Sequence, residues 1–307
     1  MAKKEFFISC ENENLHCIEW TPEGETVAVL QIVHGMVEYI DRYDELAGYL
    51  MGRGIAVVGH DHPGHGKTAK KESDLGYISE KDGSGLLVRC TERVTDYVKE
   101  KYPSVPNFIL GHSMGSFVTR RFITCCGPKV SGAIIVGTGT PPAAVLSLGR
   151  GLAGLIGKLY GFRHPSKLLT GISFSGYNSR FPAEEGEHAW ISSDREVVAR
   201  YDKDPFCTYT FRAGGFVTLY DTLLFLAGKK DIHKIPKSLP ILITAGGDDP
   251  VGSYGKGPRS LAKLYRDVGI EDVSLFLYEG QRHEIINEKD RARVHRELCD
   301  WIVERIK

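Results

Sequence analysis

The chain reads as an α/β domain, with a mostly parallel central sheet, helices on both faces and an inserted helical segment. Three observations predict this. Short, β-branched, nearly continuous apolar runs alternate with segments of helical periodicity. That rhythm stops near Thr138 and resumes near Leu239. The chain has 307 residues, long for one simple domain and sufficient for one α/β core carrying an insertion.

Phe6–Cys10 and Leu15–Trp20, separated by Glu11–Asn14, read as a hairpin. Further strands are expected at Val27–Val33, Ile55–His60, Phe108–Leu110 and Ala133–Gly137. Helical patterns at Arg42–Met51, Leu86–Lys101 and Met114–Cys125 lie between them. A strand–helix–strand rhythm implies parallel pairing with crossover helices. From Thr138 to Lys237 clear strand signals are missing. Pro141-Pro142 opens this segment, and Leu148, Leu152, Leu155 and Leu159 follow at helical spacing. An aromatic- and Ser-rich loop, Phe174–Phe181, precedes helices near Asp194–Tyr201 and Phe216–Leu226. Strands resume at Leu239–Ala245 and Val273–Tyr278. An amphipathic helix carrying Val294, Leu298, Trp301 and Ile302 closes the chain. The expected division is 1–137 and 238–307 for the core and 138–237 for the insertion.

Lys plus Arg and Asp plus Glu both number 39, so the formal net charge is zero. That balance implies no basic face and argues against nucleic acid as a partner. The seven cysteines are an odd number, and none form a C-x-x-C pair. They read as reduced, buried thiols of a cytoplasmic protein rather than a disulfide framework. The apolar run after Lys3-Lys4 is shorter than the ~7–15 residues of a secretory h-region. No stretch approaches the ~18 apolar residues of a membrane span. A cytoplasmic location is therefore expected.

Phe108-Ile109-Leu110 runs into Gly111-His112-Ser113-Met114-Gly115, a G-x-S-x-G motif between a strand and a helix. Such a turn holds the serine in strained geometry at a helix N-terminus. Glycines at 111 and 115 keep side chains out of the crowded corner. The helix amides and dipole there favour developing negative charge. The plain alternative is a Gly-rich turn with Ser113 as N-cap.

A serine nucleophile needs a histidine base, itself oriented by a carboxylate. His283 follows the strand Val273–Tyr278 and belongs to the C-terminal sheet edge that carries Ser113. The loop Gly246-Gly247-Asp248-Asp249-Pro250 reaches the same edge. Both aspartates are candidates. Greater reach from the strand end and the stiffening by Pro250 favour Asp249. The chain order Ser, Asp, His matches that of α/β hydrolases. One oxyanion donor is expected from the N–H after the nucleophile, Met114. The second is expected from Met36, in the His34-Gly35-Met36 loop after the strand Val27–Val33, where Gly35 permits close approach.

Two motifs compete for attention. His60-Asp61-His62-Pro63-Gly64-His65 approaches an H-x-H-x-D-H zinc signature, but Gly64 stands where an aspartate is required. It reads as a structural loop beside the site. Gly66-Lys67-Thr68 resembles a P-loop tail, but the first glycine is replaced by Asp61. Leu148, Leu152, Leu155 and Leu159 read first as helix packing. Acyl-channel or membrane contact is the alternative.

Taken together, the chain resembles the monoacylglycerol lipase and lysophospholipase branch of the α/β hydrolases, grouped with serine aminopeptidase-like proteins. The resemblance rests on His34–Glu38, Arg42-Tyr43, Asp61–Gly66, Gly111–Gly115, Gly247–Pro250 and Glu279–Glu284. Tyr177-Asn178, Trp190-Ile191 and Asp204-Pro205 resemble bacterial lysophospholipase-like members. It implies the α/β-hydrolase fold with 138–237 as a cap over the site. It also implies Ser113, Asp249 and His283 as a catalytic triad, Asp249 being chosen over Asp248 by the G-x-x-D pattern from Gly246. Met36 and Met114 are implied as oxyanion donors, with no cofactor and no metal. Met36 stands where many relatives carry a smaller residue, which narrows the expected acyl pocket. The expected reaction is hydrolysis of a single-chain lipid ester, a monoacylglycerol or lysophospholipid, with transient membrane or micelle contact through the cap. A short-chain carboxylesterase, an aminopeptidase, a metal-dependent hydrolase using His60, His62 and His65, and a non-catalytic ligand-binding protein are the rivals.

Overall fold

A computed structural model describes residues 2–229 and 231–306. Met1, Lys230 and Lys307, which fall within the three expected segments, lie outside the described residues. The strands are β1 (Ala2–Cys10), β2 (Glu13–Thr21), β3 (Ala28–Val33), β4 (Ile55–His60), β5 (Asn107–His112), β6 (Gly132–Val136), β7 (Ile241–Gly246) and β8 (Val273–Tyr278). They form one sheet in the order β1-β2-β4-β3-β5-β6-β7-β8. The β1–β2 and β2–β4 pairs are antiparallel, and the pairs from β4 through β8 are parallel. The expected hairpin forms, with Glu11 turning at φ 52°.

Period-two alternation assigns each strand's faces. On β5, Phe108 and Leu110 join one core cluster, with α1 (Asp44–Met51) and α9 (Arg291–Val303). Ile109 joins the other, with α2 (Gly83–Lys101), α3 (Met114–Cys126) and α8 (Lys256–Asp267). Both strand faces are covered, which is why these strands read as unbroken apolar runs. Gln31 on β3 is one of the buried polar exceptions. Its amide donates to Thr91 O (2.9 Å), and its carbonyl accepts from Thr95 Oγ1 (2.7 Å), both on α2. The helix α8 carries no expectation from the sequence. Its Pro258 sits in the first turn, where a missing N–H is tolerated, and Leu261, Ala262 and Tyr265 bury one short stripe.

Between β6 and β7 lie α4 (Ala143–Tyr160), α5 (Lys167–Ser173), α6 (Arg195–Lys203) and α7 (Ala213–Ala227). The only strand-like pairing in that stretch, among the described residues, is an isolated Pro165–Arg212 bridge. One expectation fails here. Leu148, Leu155 and Leu159 are 77%, 53% and 66% exposed, and only Leu152 packs against the core. The helix α4 is apolar on both faces, and small residues choose the packed one. Leu146, Ala153 and Ile156 are buried, and a Cβ at Gly149 would lie 2.5 Å from the Tyr220 ring on α7. The leucines fall on the opposite face. With Val145, Tyr160, Leu168 and Ile172 they leave α4 and α5 outwardly apolar. Among the described residues no helix is long and apolar enough to cross a membrane.

Phe108 is fully buried at the centre of the sheet, 6.0 Å from the Trp301 ring of α9. Phe108→Ala should cost about 3–5 kcal/mol, read as a lowered urea midpoint with an unchanged slope.

Candidate active site

Ser113 lies at the turn from β5 into α3, with φ 52° and ψ −121°. Few non-glycine residues adopt positive φ, and the strain is stored where β5 is pinned between β3 and β6. Its amide donates to Val136 O at 3.0 Å. Crowding explains the flanking glycine, since a Cβ at Gly115 would sit 1.9 Å from Val33 O. Met114 is the first residue of α3, so its N–H has no carbonyl one turn back to bond.

The loop after β3 approaches from the side. A Cβ at Gly35 would fall 3.0 Å from Ser113 Cβ and 2.5 Å from Glu38 Oε1. Met36 N–H meets no acceptor among the described residues. Val37 holds φ 55°, unusual for a β-branched residue, and its carbonyl accepts from Tyr201 OH of α6 at 3.1 Å.

His283 is buried on the loop after β8. Its Nδ1 lies 3.0 Å from Asp249 Oδ1, and its Nε2 has no partner among the described residues. Asp249 is fully buried, and its Oδ1 also accepts from Val251 N at 2.9 Å. Asp248 points to solvent, and its amide donates to Gln281 O at 2.9 Å. Ser113, Asp249 and His283, separated widely in sequence, thus meet at one sheet edge with Met36 and Met114. Met36, Ser113 and His283 line a cavity of about 710 Å³, within the range of about 300–1,000 Å³ usual for small-molecule sites. Its far walls come from the insertion, through Phe174, Tyr177 and Trp190 among others. Trp190 lies against His283, with ring centroids 5.0 Å apart.

Sequence reasoning gave no role to a buried charge network behind Ser113. Glu38 accepts from Gly35 N (2.5 Å), His112 Nδ1 (2.8 Å), Tyr43 OH (3.2 Å) and Arg42 Nη1 (3.2 Å). Arg42 makes a two-pronged bond to Glu284, at 2.8 and 2.7 Å. Burial pushes the Glu38 carboxyl up, but the His112 charge and hydrogen bond, then Arg42, outweigh it and hold it below the ordinary range. Burial lowers His112, but Glu38 raises it on balance. Burial raises Glu284, and Arg42 reverses this. The only sequence signal is charged residues inside otherwise apolar or Gly-rich segments. The contact from Arg42 to Glu284 is too remote to read.

The histidine segment packs instead of converging. Ring centroids are 4.3 Å apart for His34–His62 and 4.9 Å for His60–His62. Asp61 is occupied by His16 Nδ1 (2.8 Å), Lys67 N (2.8 Å) and Ile40 N (2.8 Å). Among the described residues no three His, Cys, Asp or Glu groups come together as a metal site. His34 braces the oxyanion-loop candidate. Its Nδ1 donates to Gly35 O (2.8 Å), and its Nε2 accepts from His62 N (2.9 Å).

With this geometry in view, the family model described as serine aminopeptidase, S33, matches residues 24–290. The chain belongs to that family of α/β hydrolases. A monoglyceride lipase homolog of Monkeypox virus is 28% identical over 98% of both chains. The monoglyceride lipase of Mus musculus is 28% identical, over 97% of this chain and 90% of its own. A thermostable carboxyl esterase from Bacillus coagulans, solved with glycerol, superposes with TM-score 0.92 at 28% identity over 100% of both chains. The fold is therefore the α/β-hydrolase fold.

Burial, then the charge of neighbouring His34, pushes the His60 imidazole down to about 3. An unfolded chain takes that proton near 6.5, so the stability from neutral His60 is complete above 6.5 and is lost as pH falls toward 3. The loss is about 1.4 kcal/mol per pH unit in that window. Urea unfolding of His60→Leu between pH 7 and 5 should show an acid slope shallower than the parent's by about that amount. Identical slopes would refute it.

Proposed function

We propose that the protein is a carboxylic ester hydrolase that works by two-step acyl transfer at Ser113. The observation that carries this reading is the buried Asp249–His283 pair, 3.0 Å apart, at the sheet edge where Ser113 holds its strained turn. His283 Nε2 takes the Ser113 proton as Oγ attacks the ester carbonyl. Asp249 accepts from Nδ1–H, fixes the tautomer and stabilises the imidazolium. Met36 and Met114 amides bind the oxyanion. His283 then protonates the leaving alcohol, and water repeats the sequence to release the acid.

The substrate is a single-chain lipid ester, a monoacylglycerol before a lysophospholipid. Relatives named as monoglyceride lipases, the cavity of about 710 Å³ and the apolar outer face of α4 and α5 support this. That face makes transient contact with a membrane or micelle, placing the 138–237 cap against the lipid. The similarity to a carboxyl esterase supports a second reading, short-chain esters. A p-nitrophenyl ester series separates the two, because turnover restricted to acetyl and butyryl esters would remove the lipase reading. Peptide amides tested beside them address the aminopeptidase named by the family. All seven cysteines are free thiols, six of them buried as expected and Cys125 exposed against expectation, and the free thiols support a cytoplasmic location.

A fluorophosphonate should label the parent and leave Ser113→Ala unlabelled. Asp249→Asn should lower kcat by on the order of 10⁴, and a labelled Ser113→Ala would refute the assignment. Replacing Leu148 and Leu159 by Ser should reduce hydrolysis of monoacylglycerol in micelles severalfold and leave p-nitrophenyl butyrate turnover intact. Equal loss on both substrates would remove the membrane contact.

A further inference from the structure

Glu288 lies beyond the His283 loop and is fully buried, yet among the described residues it has no cationic partner. Its Oε1 accepts from Arg282 N and Ser193 N, both at 2.8 Å. Its Oε2 accepts from Ser193 Oγ at 2.6 Å and Lys289 N at 3.3 Å. Three of these four partners are backbone N–H groups, which can only donate, so the site suits a carboxylate rather than a carboxylic acid. Enclosing a carboxylate without a cation is costly unless hydrogen bonds compensate. Apart from the adjacent Lys289 N, the donors come from two places: Arg282 precedes His283, and Ser193 belongs to the insertion.

The neighbouring bonds repeat that pairing. His283 N donates to Trp190 O (3.3 Å) and Glu284 N to Ile191 O (2.8 Å). Arg282 Nη1 reaches Glu185 Oε2 and Ala189 O, each at 2.7 Å. The three consecutive amides 282–284 are therefore bonded by Glu288 or by the insertion, and none by the sheet. His283 takes its backbone position from this junction.

We propose that Glu288 is a positioning residue for His283, its buried carboxylate tying the histidine loop to the 189–193 segment of the insertion so that the base is aligned only while that segment stays docked. The inference rests on His283 acting as the base. A displacement of about 1 Å at a reacting group can cost on the order of 100-fold in rate.

The test uses Glu288→Ala, Glu288→Gln and Ser193→Ala in the full chain, assayed on p-nitrophenyl acetate and p-nitrophenyl decanoate. Glu288→Ala should lower kcat by about 100-fold on both esters alike, with KM within about twofold, and slow fluorophosphonate labelling to match. Glu288→Gln should recover most of the rate, because its amide oxygen still accepts from both amides. Ser193→Ala should give a smaller drop of the same kind. Full kcat in Glu288→Ala, or a loss confined to KM for decanoate, would overturn the proposal. If Glu288→Ala does not fold, parent-like kcat in Ser193→Ala overturns it, and an equal kcat loss on both esters in Ser193→Ala supports it. A parent that is not labelled at Ser113 refutes the hydrolase reading. A labelled, active parent beside a fully active Glu288→Ala refutes this inference alone.

Discussion

At Ser113 the chain leaves β5 and enters α3 through a backbone conformation that few residues tolerate, φ 52° and ψ −121°. Such a conformation costs on the order of 1–3 kcal/mol and persists only when its surroundings over-determine it. Here they do. β5 is central in the sheet and bonded on both edges, and Gly115 lets α3 start against the β3 carbonyls with no room for a side chain. Both faces of the sheet are packed, so the turn cannot relax by tilting. The free N–H of Met114 and the outward Ser113 side chain follow from this one constraint. The approach of Gly35 depends on it as well.

Around the turn the protein uses charge where a simpler core would use packing. Glu38 binds the oxyanion-loop candidate at Gly35 and the residue before the serine, His112. Arg42 extends the network to Glu284, next to His283. Buried ion pairs contribute little net stability, but removing one partner strands the other, so such a network enforces geometry. Three loops that meet nowhere in the sequence are held in one arrangement. The insertion adds Tyr201 on Val37 O and the Trp190–Ile191 carbonyls on the histidine loop. It therefore contributes to the shape of the site.

The histidine-rich segment and the α4 leucines show what a local pattern leaves open. His60, His62 and His65 are spaced like ligands, but Asp61 is taken by three other donors and the rings meet one another edge-on. The leucines of α4 are spaced like a buried stripe, but α7 packs against the face bearing Gly149 and Ala153, where backbones can approach closely. In both cases periodicity identified a surface, and the partner available in three dimensions decided its use.

Much of the fold was legible because its signals are local. Continuous apolar runs marked strands buried on both faces, and the loss of alternation after Thr138 marked the insertion. The G-x-S-x-G turn between β5 and α3 located Ser113, and chain order brought Asp249 and His283 forward as its candidate partners. The helix α8 was missed because its buried stripe is short and Pro258 reads as a breaker, although in a first turn proline obstructs nothing. The charge network and the Glu288 junction were beyond reach for a different reason. Arg42 and Glu284, or Ser193 and Glu288, carry no local pattern that pairs them, and their burial follows from packing between distant loops. The sequence by itself determined the order of elements and the residue types presented at the sheet edge. Only the tertiary structure decided which side chains touch, because hydrogen bonds and ion pairs across such separations depend on distances of a few ångströms that no periodicity encodes.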